Sequence, residues 1–286
     1  IGLNFIDTYH RTGLYPLERF PAGLGLEAAG VIEALGDGVD DLAIGQRVAY
    51  ATGPVGAYTE ARVLPARFLV PLPDGVSDEA AAAGLLKGMT VEYLIRRTHA
   101  VSAGETVLWH AAAGGVGLIA SQWLKHLGAS VIGTVSSDAK AELARAHGCD
   151  HVARYDDFVA RVNEITSGAK VPVVYDSVGK TTFLGSLDCL APRGLYVGFG
   201  NASGKPDPFD MGVLARKGSL FLTRPTLFTY TATRADLLAS AAALFEVMAS
   251  GAVRVEVQQR FPLADAAEAH RALEARRTVG STVLVP

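Results

Sequence analysis

The fold of this chain is decided by the stretch Glu105-Thr-Val-Leu-Trp-His-Ala-Ala-Ala-Gly-Gly-Val-Gly-Leu-Ile-Ala-Ser-Gln-Trp-Leu-Lys125. The short apolar run from Thr106 to Trp109 is typical of a buried strand in a parallel sheet. A loop of small residues follows over 111–117, and the apolar residues after it recur at helical spacing. A strand, a glycine-rich turn and a helix in this order aim backbone N–H groups and the positive end of the helix at one point. That point suits a pyrophosphate.

Strand and helix patterns alternate on both sides of this stretch. We predict strands over 106–109, 130–135, 151–155, 171–176, 194–200 and 219–223. We predict helices over 90–97, 116–127, 140–146, 158–165, 182–190 and 234–250. This alternation predicts an α/β fold with a doubly wound parallel sheet and right-handed crossovers.

The two ends of the chain have a different texture. Glycine and proline turns separate short β-like runs at 29–35, 47–51, 58–63 and 68–71, which predicts a small barrel-like β domain. Ser77 is predicted to cap a helix over 80–86. Strand texture returns at 255–261 and 282–285, around a helix at 264–275. We therefore expect two domains, one formed by 1–88 with 256–286 and the other by 89–255.

Composition limits the functional classes. The chain has 286 residues, 49% of them hydrophobic, which is enough for two cores. Its net charge of −3 provides no basic field, so we expect no nucleic-acid partner. The two cysteines match no metal or redox spacing, and we find neither a membrane span nor a secretory leader, which together predict a cytoplasmic protein. Because the sequence starts in mid-pattern without methionine, we expect a further N-terminal segment.

The end of the second strand indicates which dinucleotide is bound. NAD sites usually carry an acid there, whereas this chain has Ser136 and Ser137, followed by Lys140. Two hydroxyl donors and a lysine suit a 2′-phosphate, which favours NADPH over NADH. Asp138 is the counter-argument, and we interpret it as the N-cap of the next helix. The glycine loop itself departs from the strict G-x-G-x-x-G pattern, because an alanine replaces its first glycine.

Several separated motifs resemble one family. They are Asn4-Phe-Ile-Asp-Thr-Tyr9, Gly13-Leu-Tyr-Pro16, Gly25-Leu-Glu-Ala-Ala-Gly30, Leu86-Lys-Gly-Met-Thr90, Ala111-Ala-Ala-Gly-Gly-Val-Gly117, Tyr175-Asp-Ser-Val-Gly179 and Phe199-Gly-Asn201. In this order they look like the zeta-crystallin-like NADPH:quinone oxidoreductases, which are zinc-independent members of the medium-chain dehydrogenase/reductase superfamily. The resemblance implies a GroES-like domain, a Rossmann domain, a cleft between them for nicotinamide and substrate, and a homodimer paired through edge strands around 194–200 and 219–223.

The resemblance also implies the residues of the site. Those implied to bind the cofactor are Phe5, Ile6, Asp7, Thr8, Tyr9, Tyr93, Gly114, Gly115, Val116, Ser136, Ser137, Lys140, Tyr155, Ser177, Val178, Phe199, Gly200, Asn201, Ser203, Leu227, Phe228, Thr229 and Arg276. Arg277 adjoins Arg276, and the register of the family's tail favours Arg276.

A metal site is not expected. Zinc alcohol dehydrogenases carry a ligand histidine in the turn where this chain has Gly25-Leu-Glu, and leucine cannot bind zinc. The first predicted domain has no cysteine, and His10 alone cannot form a site. Without a Lewis acid, alcohol oxidation is poorly served.

A conjugated acceptor is the better substrate, because delocalisation stabilises the charge that hydride addition creates. We therefore expect a quinone, with Asn4, Tyr9 and Tyr15 as candidate catalytic hydrogen-bond donors. Asp7 is interpreted as a turn-capping carboxylate, and water as the proton source. Reduction of α,β-unsaturated ketones or aldehydes is the alternative on the same scaffold. A non-enzymatic nucleotide- or RNA-binding protein is the alternative from another class.

Overall fold

The computed structural model describes all 286 residues. Its strands are β1 (Gly2–Leu3), β2 (Ala28–Val31), β3 (Arg47–Tyr50), β4 (Val70–Pro71), β5 (Thr106–Trp109), β6 (Ser130–Val135), β7 (His151–Arg154), β8 (Val171–Asp176), β9 (Leu190–Gly198), β10 (Phe221–Thr223), β11 (Val257–Pro262) and β12 (Ser281–Val285). Its helices are α1 (Phe5–Arg11), α2 (Asp78–Tyr93), α3 (Gly115–His126), α4 (Asp138–Ala146), α5 (Phe158–Ile165), α6 (Phe183–Cys189), α7 (Gly212–Arg216), α8 (Leu227–Tyr230), α9 (Arg234–Ala249) and α10 (Ala266–Glu274).

The chain divides into two compact units. The first comprises Ile1–Thr90 with Tyr230–Pro286, and the second comprises Val91–Thr229. Residues 230–255, which include α9, cluster with the first unit, although the predicted boundary lies at 255. The assignment of domains by function stays a prediction.

The second unit is built on the predicted doubly wound sheet. Its six strands are all parallel, in the order β10-β9-β8-β5-β6-β7. The central strand β5 is buried from Val107 to Trp109, which explains its unbroken apolar run. Leu108, Ile132 and Phe183 belong to one core cluster on this sheet. The α/β fold class is confirmed.

One prediction about the sheet edge is wrong. The strand predicted at 194–200 overlaps β9 (Leu190–Gly198), which is hydrogen-bonded to β8 on one side and β10 on the other. Leu195, Tyr196 and Val197 pair with β10, so their backbone groups are already used. Only β10 lies at this edge, where Phe221 is 60% exposed.

Two small sheets form the β structure of the first unit. One has the order β1-β12-β11 and the other the antiparallel order β2-β3-β4. The tail strand β12 therefore pairs with the N-terminal strand β1. No strand forms over 58–63, where one was predicted. The Tyr58 N–H donates to the Leu24 carbonyl of a distant segment at 2.9 Å, and the Thr59 N–H donates to the Ala57 carbonyl at 2.8 Å, so neither group belongs to a strand ladder.

The two helices predicted over 80–86 and 90–97 are one continuous helix, α2, followed by a π-helical turn over Leu94–Thr98. Ser77 caps α2, because its Oγ accepts the Ala80 N–H at 3.1 Å, as predicted. The helix continues through Gly88, and a Cβ at this position would collide with Leu244 of α9. The glycine allows α9 to pack closely. No helix combines the length and the apolar character needed to cross a bilayer.

Candidate functional site

The glycine loop between β5 and α3 forms a tight turn that leaves no room for a side chain at Gly117. Ala111 has a φ of 57°, a left-handed conformation rare for alanine, and its carbonyl accepts the Gly114 N–H at 2.9 Å. A Cβ on Gly117 would lie 2.5 Å from the Ala111 oxygen, so the turn requires glycine there. Gly114 to Val116 stay partly exposed at the start of α3. The first N–H groups of the helix thus face an open point that suits phosphate.

A buried carboxylate, that of Asp176, lies at the carboxyl-terminal end of strand β8. Asp176 ends β8, and its Oδ1 accepts the Val178 and Gly179 N–H groups at 2.7 and 3.0 Å. Its Oδ2 accepts the Thr182 and Tyr196 hydroxyls at 2.7 and 3.0 Å. Four donors therefore hold one carboxylate, which makes the turn after β8 rigid.

Two segments implied for the cofactor meet at this turn. The Ala202 N–H donates to the Ser177 carbonyl at 3.1 Å, and the Ser203 Oγ donates to the Val178 carbonyl at 2.8 Å. Gly200 is close-packed, because a Cβ there would lie 2.5 Å from the Ser177 oxygen. The structure therefore brings Ser177 and Val178 together with the 199–203 segment.

The corner after β6 carries the residues predicted to select the cofactor. Ser136 is exposed, and the Ser137 Oγ accepts the Lys140 N–H at 3.3 Å. Ser137 is therefore the N-cap of α4, and the prediction that Asp138 takes this role is wrong. Asp138 is instead the first residue of the helix, and its side chain is fully exposed. Its carboxylate remains favourable there because of the helix dipole.

A buried histidine, His110, directly follows β5 and contacts β6. The His110 Nδ1 is 2.9 Å from the Thr134 Oγ1, and its Nε2 is 2.9 Å from the Ser186 Oγ. The Tyr155 ring is stacked on the His110 ring with centroids 6.3 Å apart. Burial lowers the pKa of His110, so the imidazole is neutral. His110 thus contacts Tyr155, which directly follows β7.

The remaining implied cofactor residues lie at several places. Tyr93 is buried at the end of α2. Leu227 is buried, whereas Phe228 and Thr229 are exposed at the start of α8. Arg276, in the first unit, is exposed just after α10 with a φ of 57°.

The candidate catalytic residues occupy one region of the first unit. Asn4 is buried immediately before α1, and Tyr9 is buried within it. The Tyr9 and Tyr15 rings contact edge-on with centroids 5.2 Å apart. The Asn4 Nδ2 donates to the Glu27 Oε2 at 2.8 Å, which sets the orientation of the amide. The structure thus brings Tyr9 and Tyr15 into contact, with Asn4 at the start of the helix that carries Tyr9, while Phe5 and Ile6 lie half-buried on the same helix.

Two buried carboxylates support this region. The Asp7 Oδ2 accepts the Asn4 N–H at 2.9 Å, so Asp7 caps α1 as interpreted. It is fully buried, its Oδ1 has no hydrogen-bond partner, and burial raises its pKa to about 7. Glu27 accepts the Leu86 N–H at 2.6 Å and the Lys87 ammonium at 3.3 Å, with both members of this ion pair buried.

Sequence reasoning missed Glu27, Lys87, Tyr58 and His270 as supports of the site. The first two lie in motifs that carry the family resemblance, which is a signal that could have found them. Tyr58 and His270 are 212 residues apart in the chain, yet the Tyr58 Oη lies 2.9 Å from the His270 Nε2. No local pattern indicates such a contact.

The chemistry of a zinc site does not fit these residues. Leu26, in the Gly25-Leu-Glu turn, is buried and has no atom that could bind zinc. In the structure, no group of three or more histidine, cysteine, aspartate or glutamate side chains is arranged to hold a metal ion. Cys149 and Cys189 are both buried and unpaired, and burial raises the pKa of each thiol to about 12.

Comparison with protein families agrees with this architecture. Residues 1–74 match the family model described as alcohol dehydrogenase GroES-like domain. Residues 115–240 match the model described as zinc-binding dehydrogenase. A GroES-like segment joined to a Rossmann-type parallel sheet defines a medium-chain dehydrogenase/reductase.

Individual relatives narrow the class. A quinone oxidoreductase of Pseudomonas aeruginosa is 57% identical over 288 residues, covering 100% of this chain and 89% of the relative. A 2-haloacrylate reductase of a Burkholderia species is 48% identical, covering 100% of this chain and 88% of the relative. The crystal structure of Escherichia coli quinone oxidoreductase complexed with NADPH has a TM-score of 0.98 at 50% identity, covering 100% of this chain and 89% of that one. The chain belongs to the quinone oxidoreductase family.

Proposed function

We propose that this chain is an NADPH-dependent quinone reductase that works without a metal. The observation that carries the proposal is the cradle at the carboxyl ends of β5 and β6. There the N–H groups at the start of α3 suit a pyrophosphate. The hydroxyls and the lysine of the Ser136–Lys140 corner suit a 2′-phosphate. The NADPH complex of the Escherichia coli relative supports the same cofactor.

Different residues bind different parts of the cofactor. The N–H groups of Gly115 and Val116 bind the pyrophosphate, with Gly114 allowing a close approach. Ser136, Ser137, Lys140 and Tyr155 surround the 2′-phosphate. The rigid turn beyond Asp176 presents Ser177, Val178 and the 199–203 segment along the dinucleotide. When it is bound, NADPH supplies the hydride.

Asn4, Tyr9 and Tyr15 assist the acceptor through hydrogen bonds. Hydride addition to a quinone leaves charge on an oxygen, and a preorganised N–H or O–H donor stabilises that charge. One N–H of the Asn4 amide is committed to Glu27, which leaves the second N–H as a donor of fixed orientation. Tyr9 and Tyr15 supply hydroxyls on an apolar, aromatic surface. No Lewis acid is required, because conjugation in the acceptor spreads the charge.

An acceptor panel tests the function. NADPH oxidation is followed with 1,4-benzoquinone, a naphthoquinone, an alkyl enone and 2-chloroacrylate. We expect the quinones to have the highest kcat/KM. The 2-haloacrylate reductase relative makes an activated alkene the second candidate, and a clear preference for the enone or the haloacrylate would assign that reaction instead. No turnover with any acceptor would favour a non-enzymatic nucleotide-binding protein.

A lysine substitution tests the cofactor. We expect Lys140→Ala to raise the KM for NADPH at least tenfold and leave that for NADH nearly unchanged, because it removes a charge facing the 2′-phosphate. Lys125→Ala is the matched control, since Lys125 lies exposed in the last turn of α3. Equal losses for both cofactors in Lys140→Ala would show that this lysine does not read the 2′-phosphate.

We also propose a cytoplasmic homodimer. Exposed Phe221 and Leu222 on the edge strand β10 support pairing with a second copy. Phe221→Asp should convert a dimer to a monomer in light scattering, and an unchanged mass would exclude this edge as the interface.

A further inference from the structure

Arg154 occupies a position beside the cofactor-selecting corner. It is the last residue of the edge strand β7, and its Cα partner on β6 is Val135, which ends that strand. Ser136 and Ser137 follow Val135 directly. The backbone of Arg154 is therefore next to the strand end from which the corner begins.

The Arg154 side chain lies on the same face of the sheet as α4. Its neighbour Ala153 is buried in the core cluster that contains Phe158 and Val162 of α5. Successive side chains of a strand point to opposite faces, so Arg154 points away from α5. Its Nη1 lies 3.6 Å from the Asp138 Oδ1, in the first turn of α4.

The guanidinium has hydrogen-bonding capacity to spare. The Arg154 Nη1 is inaccessible to solvent and has no hydrogen-bond partner. Asp138 contributes charge but no hydrogen bond at this distance, and its side chain is fully exposed. Exposed ion pairs contribute little to stability, so this contact does not explain why a guanidinium is held here. The Arg154 side chain is 40% exposed, so a ligand anion that approaches from solvent would pair with the guanidinium.

We propose that Arg154 is a further specificity-determining residue, which binds the 2′-phosphate of NADPH together with Ser136, Ser137 and Lys140. This rests on the proposed function, because it names one more residue of the same cofactor site. A phosphate monoester carries close to two negative charges at neutral pH. Lys140 supplies one positive charge and Arg154 a second, with the planar donor geometry that suits phosphate oxygens.

Asp138 acts against this binding. Its carboxylate lies 3.6 Å from the Arg154 Nη1, so it places a negative charge beside the bound 2′-phosphate and competes with it for the guanidinium. Removing that charge has the opposite effect to removing Arg154. The pair therefore provides two substitutions with effects of opposite sign, which a purely structural role for Arg154 would not produce.

Ligand binding tests the inference without turnover. The full chain is titrated by calorimetry with adenosine 2′,5′-bisphosphate and with adenosine 5′-monophosphate. Arg154→Gln should raise the Kd for the bisphosphate about tenfold and that for the monophosphate less than about twofold, because only the first ligand carries the 2′-phosphate. Asp138→Asn should lower the Kd for the bisphosphate. The urea midpoint of each variant establishes that it is folded.

Arg145→Gln is the matched control. It changes the net charge equally, but Arg145 is exposed in the last turn of α4, so neither Kd should change. Suppose that the wild type prefers the bisphosphate but Arg154→Gln raises both Kd values equally, or raises neither. That result would overturn the role of Arg154 and leave the proposed cofactor standing. A wild type without that preference would overturn the proposed cofactor, and the role of Arg154 with it.

Discussion

Tyr58 donates its hydroxyl proton to Asp7, with 3.1 Å between the Tyr58 Oη and the Asp7 Oδ2. The direction follows from the groups behind it. The Arg11 Nη1 is 3.0 Å from the His270 Nδ1, and arginine can only donate, so Nδ1 accepts. Because burial lowers the pKa of His270, the ring is neutral and carries its proton on Nε2, which donates to Tyr58. The surface residue Arg11 thus determines how a buried carboxylate is bonded.

The first prediction concerns the coupling in this chain of hydrogen bonds. Tyr58→Phe should lower the free energy of unfolding by about 1–3 kcal/mol, because it leaves the His270 Nε2 proton without an acceptor. His270→Gln should cost a similar amount. In the double variant the losses should be less than additive by more than about 0.5 kcal/mol, measured by urea denaturation. Tyr58→Phe combined with Glu79→Gln is the control, since Glu79 pairs with Arg260 at the surface and additive losses are expected.

The second prediction concerns pH and Asp7. Its pKa in the folded state is raised to about 7, chiefly by burial, whereas an ordinary aspartate titrates near 4. Between these values the folded state binds more protons than the unfolded state, so the contribution of Asp7 to stability is present at low pH and is lost as the pH rises through about 7. Asp7→Asn mimics the protonated acid. We therefore expect its stability relative to wild type to increase by more than about 1 kcal/mol between pH 5 and pH 8, measured by urea denaturation.

The comparison with wild type isolates Asp7 from the other groups. Glu27, Lys87 and Tyr58 face it from the neighbouring elements and are common to both proteins. A difference in stability that stays constant from pH 5 to pH 8 would contradict the raised pKa.

The third prediction concerns the glycine cradle. In Gly117→Ala the new Cβ would lie 2.5 Å from one backbone carbonyl and 2.6 Å from the next, neither of which can move without shifting the loop. We expect a loss of about 1–3 kcal/mol in unfolding free energy and weaker NADPH binding in calorimetry. Gly75→Ala is the control, because its Cβ would meet nothing within 4 Å. Unchanged NADPH affinity in Gly117→Ala would show that this loop does not bind the cofactor.

The fourth prediction concerns Asp176. Asp176→Ala removes the acceptor of four buried donors and should cost about 3 kcal/mol or more, with NADPH binding weakened as the turns after β8 and β9 loosen. Asp176→Asn should retain most of the stability, because its carbonyl can face the backbone N–H groups while the Thr182 and Tyr196 hydroxyls rotate to accept. Asp207→Asn, at an exposed carboxylate, should change neither quantity. Equal losses in the alanine and asparagine variants would show that charge, rather than hydrogen bonding, holds the turn.

Local patterns were sufficient for much of this structure. The β5–α3 unit, the six-stranded sheet and the cap at Ser77 follow from apolar periodicity and from short polar signals, since each depends on neighbours in the chain. The same reasoning placed a strand over 58–63 and a helix break near Gly88. Both errors arise where residues distant in the chain determine the local structure. His270 and Asp7 form hydrogen bonds with Tyr58, and Leu244 fills the space beside Gly88.

The sequence by itself determined the fold class and the glycine turn between β5 and α3, and it predicts a phosphate site there with a preference for a 2′-phosphate, because these depend on residues close together in the chain. Only the tertiary structure decided which carboxylate lies fully buried, which arginine stands beside the cofactor-selecting corner and which strand forms the sheet edge. Asp7 meets Tyr58 and Val135 pairs with Arg154 through contacts between separate elements. Desolvation and unmet hydrogen-bonding capacity arise only when such elements pack, so no local pattern records them.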